Sequence, residues 1–146
     1  MSAAITPDSK DRDDRLPRRV LVVEDDGILA ISIEDALRDA GIENVELTAS
    51  TEAALESLRR EQPDAVVLDV HLADRDDGWA IAELLRGLGP KRPRIVFSTG
   101  APDSIPEDIA ELGAILAKPY ENSALIALLR EPRRQGILSR LRGALG

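Results

Sequence analysis

The sequence predicts a doubly wound α/β sheet of five parallel strands, and three observations predict it. Short, continuously apolar and largely β-branched runs recur along the chain, notably Val20-Leu21-Val22-Val23 and Ala65-Val66-Val67-Leu68, as strands buried on both faces require. Segments with apolar residues at helical spacing separate these runs. The alternation repeats five times, and short right-handed crossovers of that kind leave helices on both faces of one sheet.

The elements follow in order. Residues 20–23 make the first strand, which ends abruptly in acids. Asp26, followed by Gly27, reads as the N-cap of a helix over 28–40, with Leu29, Ile33, Ala36, Leu37 and Ala40 inward and Gly41 as the stop. A second strand falls at 45–48, and a helix at 51–61 turns Ala54, Leu55 and Leu58 inward. The third strand, 65–68, carries Asp69 at its end. After a polar loop from His71 to Asp77, Gly78 opens a helix to about Leu88, broken by Gly89, Pro90 and Pro93 before a strand at 94–97. Ser98, Thr99 and Gly100 close that strand. Ser104-Ile-Pro-Glu107 has the form of a capping box with proline in the first turn, which predicts a short helix to about Leu112. Ala114 to Ala117 make the last strand, and Asn122 to Arg130 the last helix, ended by Pro132.

At 146 residues and 43% hydrophobic content the chain holds one core. We expect a disordered tail at 1–18, a single domain at 19–130 and a C-terminal extension at 131–146. The extension places Ile137, Leu138, Leu141 and Leu145 on one stripe with Arg134, Arg140 and Arg142 elsewhere, which is amphipathic and basic. We expect it to dock back on the acidic body or fray in solvent. The absence of cysteine removes disulfides and thiolate chemistry together and fits a reducing, cytoplasmic compartment. No apolar run reaches spanning length, and the N-terminus lacks the apolar middle of a secretory signal. The net charge is -8, and the basic ends leave -13 on residues 20–129. So acidic a body repels nucleic acid, and three aromatics (Trp79, Phe97, Tyr120) make no stacking platform for single strands. Trp79 and Phe97 are read as packing residues.

In doubly wound sheets ligands bind outside the carboxyl ends of the strands. Those ends carry Glu24, Asp25 and Asp26 after the first strand, Asp69 after the third, Thr99 after the fourth and Lys118 after the fifth. Carboxylates gathered on one rim repel unless a cation sits among them, and hard oxygens select magnesium or calcium. A hydroxyl and an ammonium on the same rim suit the remaining oxygens of a phosphoryl group, whose transfer depends on positioning and charge neutralisation. Asp74, Asp76 and Asp77 lack the spacing and distal glutamate of a calcium loop and are read as solvated.

These residues resemble the response-regulator receiver domains of two-component signalling. The matches are VLVVEDD (20–26), VVLDVHL (66–72), the Thr99-Gly100 pair and Lys118-Pro119, and the resemblance covers about residues 19–130. It implies a flavodoxin-like (βα)5 receiver fold and a stand-alone phosphorylation switch, which catalyses only its own phosphorylation and dephosphorylation. Glu24 and Asp25 would be the acidic Mg2+ pair, Asp69 the phosphoacceptor and third carboxylate ligand, Thr99 the switch hydroxyl and Lys118 the lysine that contacts the phosphoryl. The backbone carbonyl of His71 would complete the metal shell. The implied partners are a sensor histidine kinase or histidine phosphotransfer protein and a downstream protein target, with a phosphate sink or shuttle as another output. Two departures refine the match. Ile115 stands where receivers often place an aromatic switch residue, three positions before the lysine. Ile95-Val-Phe-Ser-Thr-Gly100 resembles a single-domain subgroup with a Phe-Ala-Thr-Gly-X-Tyr signature, here with Ser98 for Ala and Pro102 for Tyr. Two alternatives stand beside this reading. A haloacid-dehalogenase-like phosphatase would need a second aspartate where His71 stands, and a phosphorylation-independent docking receiver would have no use for the five rim residues.

Overall fold

The computed structural model describes residues 16–70 and 79–131. Ten elements alternate: β1 (Arg19–Val23), α1 (Gly27–Asp39), β2 (Asn44–Thr48), α2 (Thr51–Arg60), β3 (Ala65–Asp69), α3 (Trp79–Arg86), β4 (Arg94–Thr99), α4 (Glu107–Ala110), β5 (Ala114–Ala117) and α5 (Asn122–Arg130). Single 3-10 turns lie at Gly89–Lys91 and Pro102–Ser104. The strands form one parallel sheet in the order β2-β1-β3-β4-β5. This is the α/β architecture that the strand runs predict.

The two-residue period of each strand builds two cores from one sheet. Leu21, Val23, Val66, Leu68, Ile95 and Phe97 point to one face, where Ala54 of α2, Ile81 and Leu85 of α3 and Ile109 of α4 cover them. Val20, Val22, Ala65, Val67 and Val96 point to the other, under Ile33 and Leu37 of α1 and Leu125 and Leu129 of α5. The central strands are therefore apolar along their buried middles, and only their end residues are free to be polar. Phe97 is fully buried and Trp79 packs against the same cluster, which accounts for both as packing residues. Leu16 packs against the second cluster.

The helix ends follow local chemistry. Asp26 Oδ1 accepts from the backbone N–H groups of Ile28 and Leu29 at 3.0 and 3.1 Å, so its carboxylate serves as the N-cap of α1. Ser50 caps α2 through Ala53 N–H at 3.1 Å. Gly41, at φ +108°, turns the chain out of α1. Arg94 at the start of β4 donates to the carbonyls of Leu128 and Leu129 at 2.8 and 3.0 Å, satisfying acceptors that the last turn of α5 leaves open.

The capping box expected at Ser104 is not formed. The Ser104 hydroxyl donates to the Ala101 carbonyl at 2.7 Å and closes the 3-10 turn, while Pro106 is the N-cap residue of α4. Pro102 starts that turn early and draws Ser104 away from the helix, leaving α4 a single turn. The third helix ends at Arg86 instead of about Leu88, because the turn into Gly89–Lys91 takes over. The proposed start at Gly78, the tail at 1–15, Asp74, Asp76 and Asp77, and the extension at 132–146 lie outside the described residues.

Gly113 enters β5 against the backbone of Ile95, and a Cβ there would overlap the Ile95 carbonyl group. Because that obstacle is main chain in the central part of the sheet, it yields little. Gly113→Ala is expected to destabilise the fold by about 1–3 kcal/mol, read as a lowered midpoint in urea with an unchanged slope.

Candidate functional site

The parallel strands bring their carboxyl ends to one rim, and the strand order reverses direction between β1 and β3. Val23 pairs with Leu68, so the next residues, Glu24 and Asp69, stand level on neighbouring strands. Both are nearly sealed from solvent, at 3% and 5% exposure. Asp25 adds a third carboxylate, and one oxygen from each of Glu24, Asp25 and Asp69 lies within 4.8 Å of the others.

Lys118 reaches this group from the end of β5. Its Nζ donates to Glu24 Oε1 at 2.9 Å and lies 3.5 Å from Asp69 Oδ2. The other Glu24 oxygen, Oε2, accepts the backbone N–H of Asp26 at 3.1 Å, so both oxygens of this carboxylate are held. The Asp26 carboxylate itself is committed to α1. That local competition separates the three consecutive acids: Glu24 and Asp25 join the cluster, and Asp26 caps.

Burial pushes the Glu24 carboxyl up to about 7; the Lys118 hydrogen bond opposes this and the adjacent Asp69 adds to it. Burial alone would lower the Lys118 ammonium, but its bonds and charge interactions with Glu24 and Asp69 outweigh burial and hold it above the usual lysine range. With all groups ionised, three carboxylates against one ammonium leave two negative charges uncompensated. The donor set is all oxygen, close-set and doubly anionic, which fits a hard divalent cation such as magnesium.

Thr99, the last residue of β4, is fully buried. Its Oγ1 accepts the backbone N–H of Ala101 at 2.9 Å, so it engages the loop that follows, and its carbonyl accepts the Lys118 N–H at 2.7 Å. Thus the structure gathers Glu24, Asp25, Asp69 and Lys118 directly and joins Thr99 to Lys118 through the backbone. His71 lies outside the described residues. Ile115 sits on the edge strand β5, 39% exposed. Sequence reading gave no role to Ser98 and Tyr120, whose hydroxyls lie 3.0 Å apart beside this site. The position of Tyr120 two residues after Lys118 was the available signal.

Comparison with known proteins gives the family and the fold. A family model described as the response regulator receiver domain matches residues 20–130. The chain is 37% identical over 119 residues to the response regulator MprA of Mycolicibacterium vanbaalenii, covering 79% of this chain and 50% of that protein. It is 31% identical over 126 residues to the transcriptional regulatory protein PdtaR of Mycobacterium tuberculosis, covering 84% and 60%. The chain therefore spans about half the length of the curated relatives it matches. Among solved structures, a CheY-like receiver domain from Methylobacillus flagellatus superposes with a TM-score of 0.68 at 27% identity, covering 77% of this chain and 96% of that one. The receiver domain of PhyR from Erythrobacter litoralis gives 0.67 at 26% identity, covering 77% and 86%. Among the described residues no helix is long and apolar enough to cross a membrane.

A carboxyl raised from 4.5 to about 7 on folding means that the folded chain holds its proton more tightly than the unfolded one. Its contribution to stability is then complete below about pH 4.5 and is lost as pH rises through about 7. In metal-free buffer the melting temperature of the wild type is expected to fall across this window relative to Glu24→Gln. Millimolar magnesium at pH 8 should restore the wild type and leave Glu24→Gln largely unchanged, as checked by paired thermal melts.

Proposed function

The chain belongs to the response regulator receiver domain family of two-component signalling, and from that premise we propose that it is a phosphorylation switch whose Asp69 accepts a phosphoryl group. The observation that carries this reading is the ammonium of Lys118 set between Glu24 and Asp69, at 2.9 and 3.5 Å, on the strand-end rim. Among the described residues this is where buried carboxylates and an ammonium converge.

Glu24, Asp25 and Asp69 would hold Mg2+, with the backbone carbonyl of His71 as a further ligand. When bound, the ion supplies charge neutralisation for the phosphoryl oxygens. Asp69 attacks the donor phosphorus in line, its oxygen forming the new P–O bond as the bond to a phosphohistidine nitrogen or an acetyl-phosphate oxygen breaks. Lys118 exchanges its bond to Glu24 for one to a phosphoryl oxygen. The Thr99 hydroxyl, which accepts from Ala101, keeps its own proton to donate to another. Because Thr99 Oγ1 and Ala101 N–H are bonded, its movement draws the loop ahead of α4 with it. The surface of α4 and β5 then shifts between two populations that a protein partner distinguishes. The phosphodonor is a sensor histidine kinase or a histidine phosphotransfer protein, and the setting is cytoplasmic.

Incubated with magnesium and acetyl phosphate, the wild type should gain one phosphoryl group by intact mass, and Asp69→Asn none. Lys118→Ala should retain magnesium binding and lose uptake by roughly a hundredfold. Uptake by Asp69→Asn equal to that of the wild type would overturn the assignment.

A further inference from the structure

Ser98 is the neighbour of Asp69 across the β3–β4 ladder, because the two residues are register partners. Parallel partners share a face, so the Ser98 side chain lies on the same side of the sheet as the Asp69 carboxylate. Its own partner on β5 is Leu116, which packs in the cluster under α1 and α5. The hydroxyl of Ser98, on a residue 1% exposed, thus sits in the apolar floor directly beneath the rim. A hydroxyl buried there needs a hydrogen-bond partner. Tyr120 supplies it at 3.0 Å.

Tyr120 is two residues beyond Lys118. The segment Lys118-Pro119-Tyr120 is therefore tied to the end of β4 at both ends. The backbone N–H of Lys118 bonds the Thr99 carbonyl at 2.7 Å, and the Tyr120 hydroxyl bonds that of Ser98. One tie alone would leave the segment free to swing about the remaining bond. Two ties on consecutive residues of one strand fix its direction. The long lysine side chain starts from that backbone and must deliver its ammonium to carboxylates at the ends of β3 and β1, two and three strands from β5. The ring of Tyr120 packs with the cluster under α1 and α5, which gives the tie a rigid base. Burial holds its phenol above the ordinary range, so the hydroxyl keeps its proton at neutral pH.

We propose that the Ser98–Tyr120 hydroxyl pair is a positioning device for Lys118, setting the ammonium between Glu24 and Asp69 from the floor of the site. The geometric part stands on the hydrogen bonds above; its consequence for phosphoryl transfer rests on the reading of Asp69 as the acceptor. Neither hydroxyl touches the reacting atoms. Both act through the backbone that carries Lys118.

The chain has three lysines, Lys10, Lys91 and Lys118, so its lysine side-chain spectrum is simple. With 13C-labelled lysine and Lys118→Arg for assignment, the Lys118 ε-methylene resonance should stand apart in the wild type. Tyr120→Phe and Ser98→Ala should each move it toward that of exposed Lys91, and the double variant no further. Uptake from acetyl phosphate should slow roughly fivefold or more in each single variant, again with no added loss in the double variant. A purely structural pair would lower the unfolding midpoint and leave the resonance and the rate in place. The proposal is overturned if the resonance is unmoved in both single variants, or if a wild type that takes up phosphoryl shows additive or less than twofold effects. Should the wild type take up none, the acceptor reading fails, and the Lys118 resonance still decides the tie.

Discussion

Two carboxylates buried side by side at the ends of adjacent strands repel each other, and the strand-end rim depends on what offsets that repulsion. In this chain the offset comes from Lys118, whose ammonium bonds Glu24 at 2.9 Å and faces Asp69 at 3.5 Å. The compensation is incomplete, since Asp25 belongs to the same group and Glu24 is still pushed up to about 7. A close-set group of carboxylates left short of positive charge in this way fits a hard divalent cation. The same lysine holds both buried carboxylates of the rim, so the rim's charge balance rests on one side chain.

The sheet makes this arrangement possible. The inner strands β1, β3 and β4 are apolar on both faces over their buried length, so polar residues are confined to their ends, where parallel pairing sets them level. Glu24, Asp69 and Ser98 fall in one row for that reason. Lys118 lies beyond this row, just past the end of the edge strand, and reaches back across the sheet from a segment that is bonded to Thr99 and Ser98. Stability and function meet at this edge: Gly113 lets β5 approach Ile95, and five residues later the same chain delivers the lysine.

Strand positions were legible because buried parallel strands need unbroken apolar runs, and those runs have few other uses in a chain of this charge. The rim residues were legible by their order at strand ends. Two features were not. The capping-box pattern at Ser104 failed because the same hydroxyl had a nearer carbonyl at Ala101 once Pro102 had started a 3-10 turn, a competition that local patterns do not rank. The Ser98–Tyr120 bond joins residues 22 positions apart and depends on strand register, to which neither residue type points by itself.

What the sequence by itself determined was the alternation of elements, the two-faced core and the identity of the acids, hydroxyl and lysine at the strand ends, because these follow from local periodicity and residue chemistry. The N-cap at Asp26 and the pairing of Glu24 with Asp25 were also legible, whereas the burial of Glu24 against Lys118 and the distances within the cluster were decided only by the tertiary structure. Glu24, Asp25 and Asp26 are consecutive and chemically alike, yet the first is buried against Lys118, the second completes the carboxylate cluster and the third caps α1. That division arises where one helix begins and two strands end side by side, and the distances among those ends are set by pairing across the sheet.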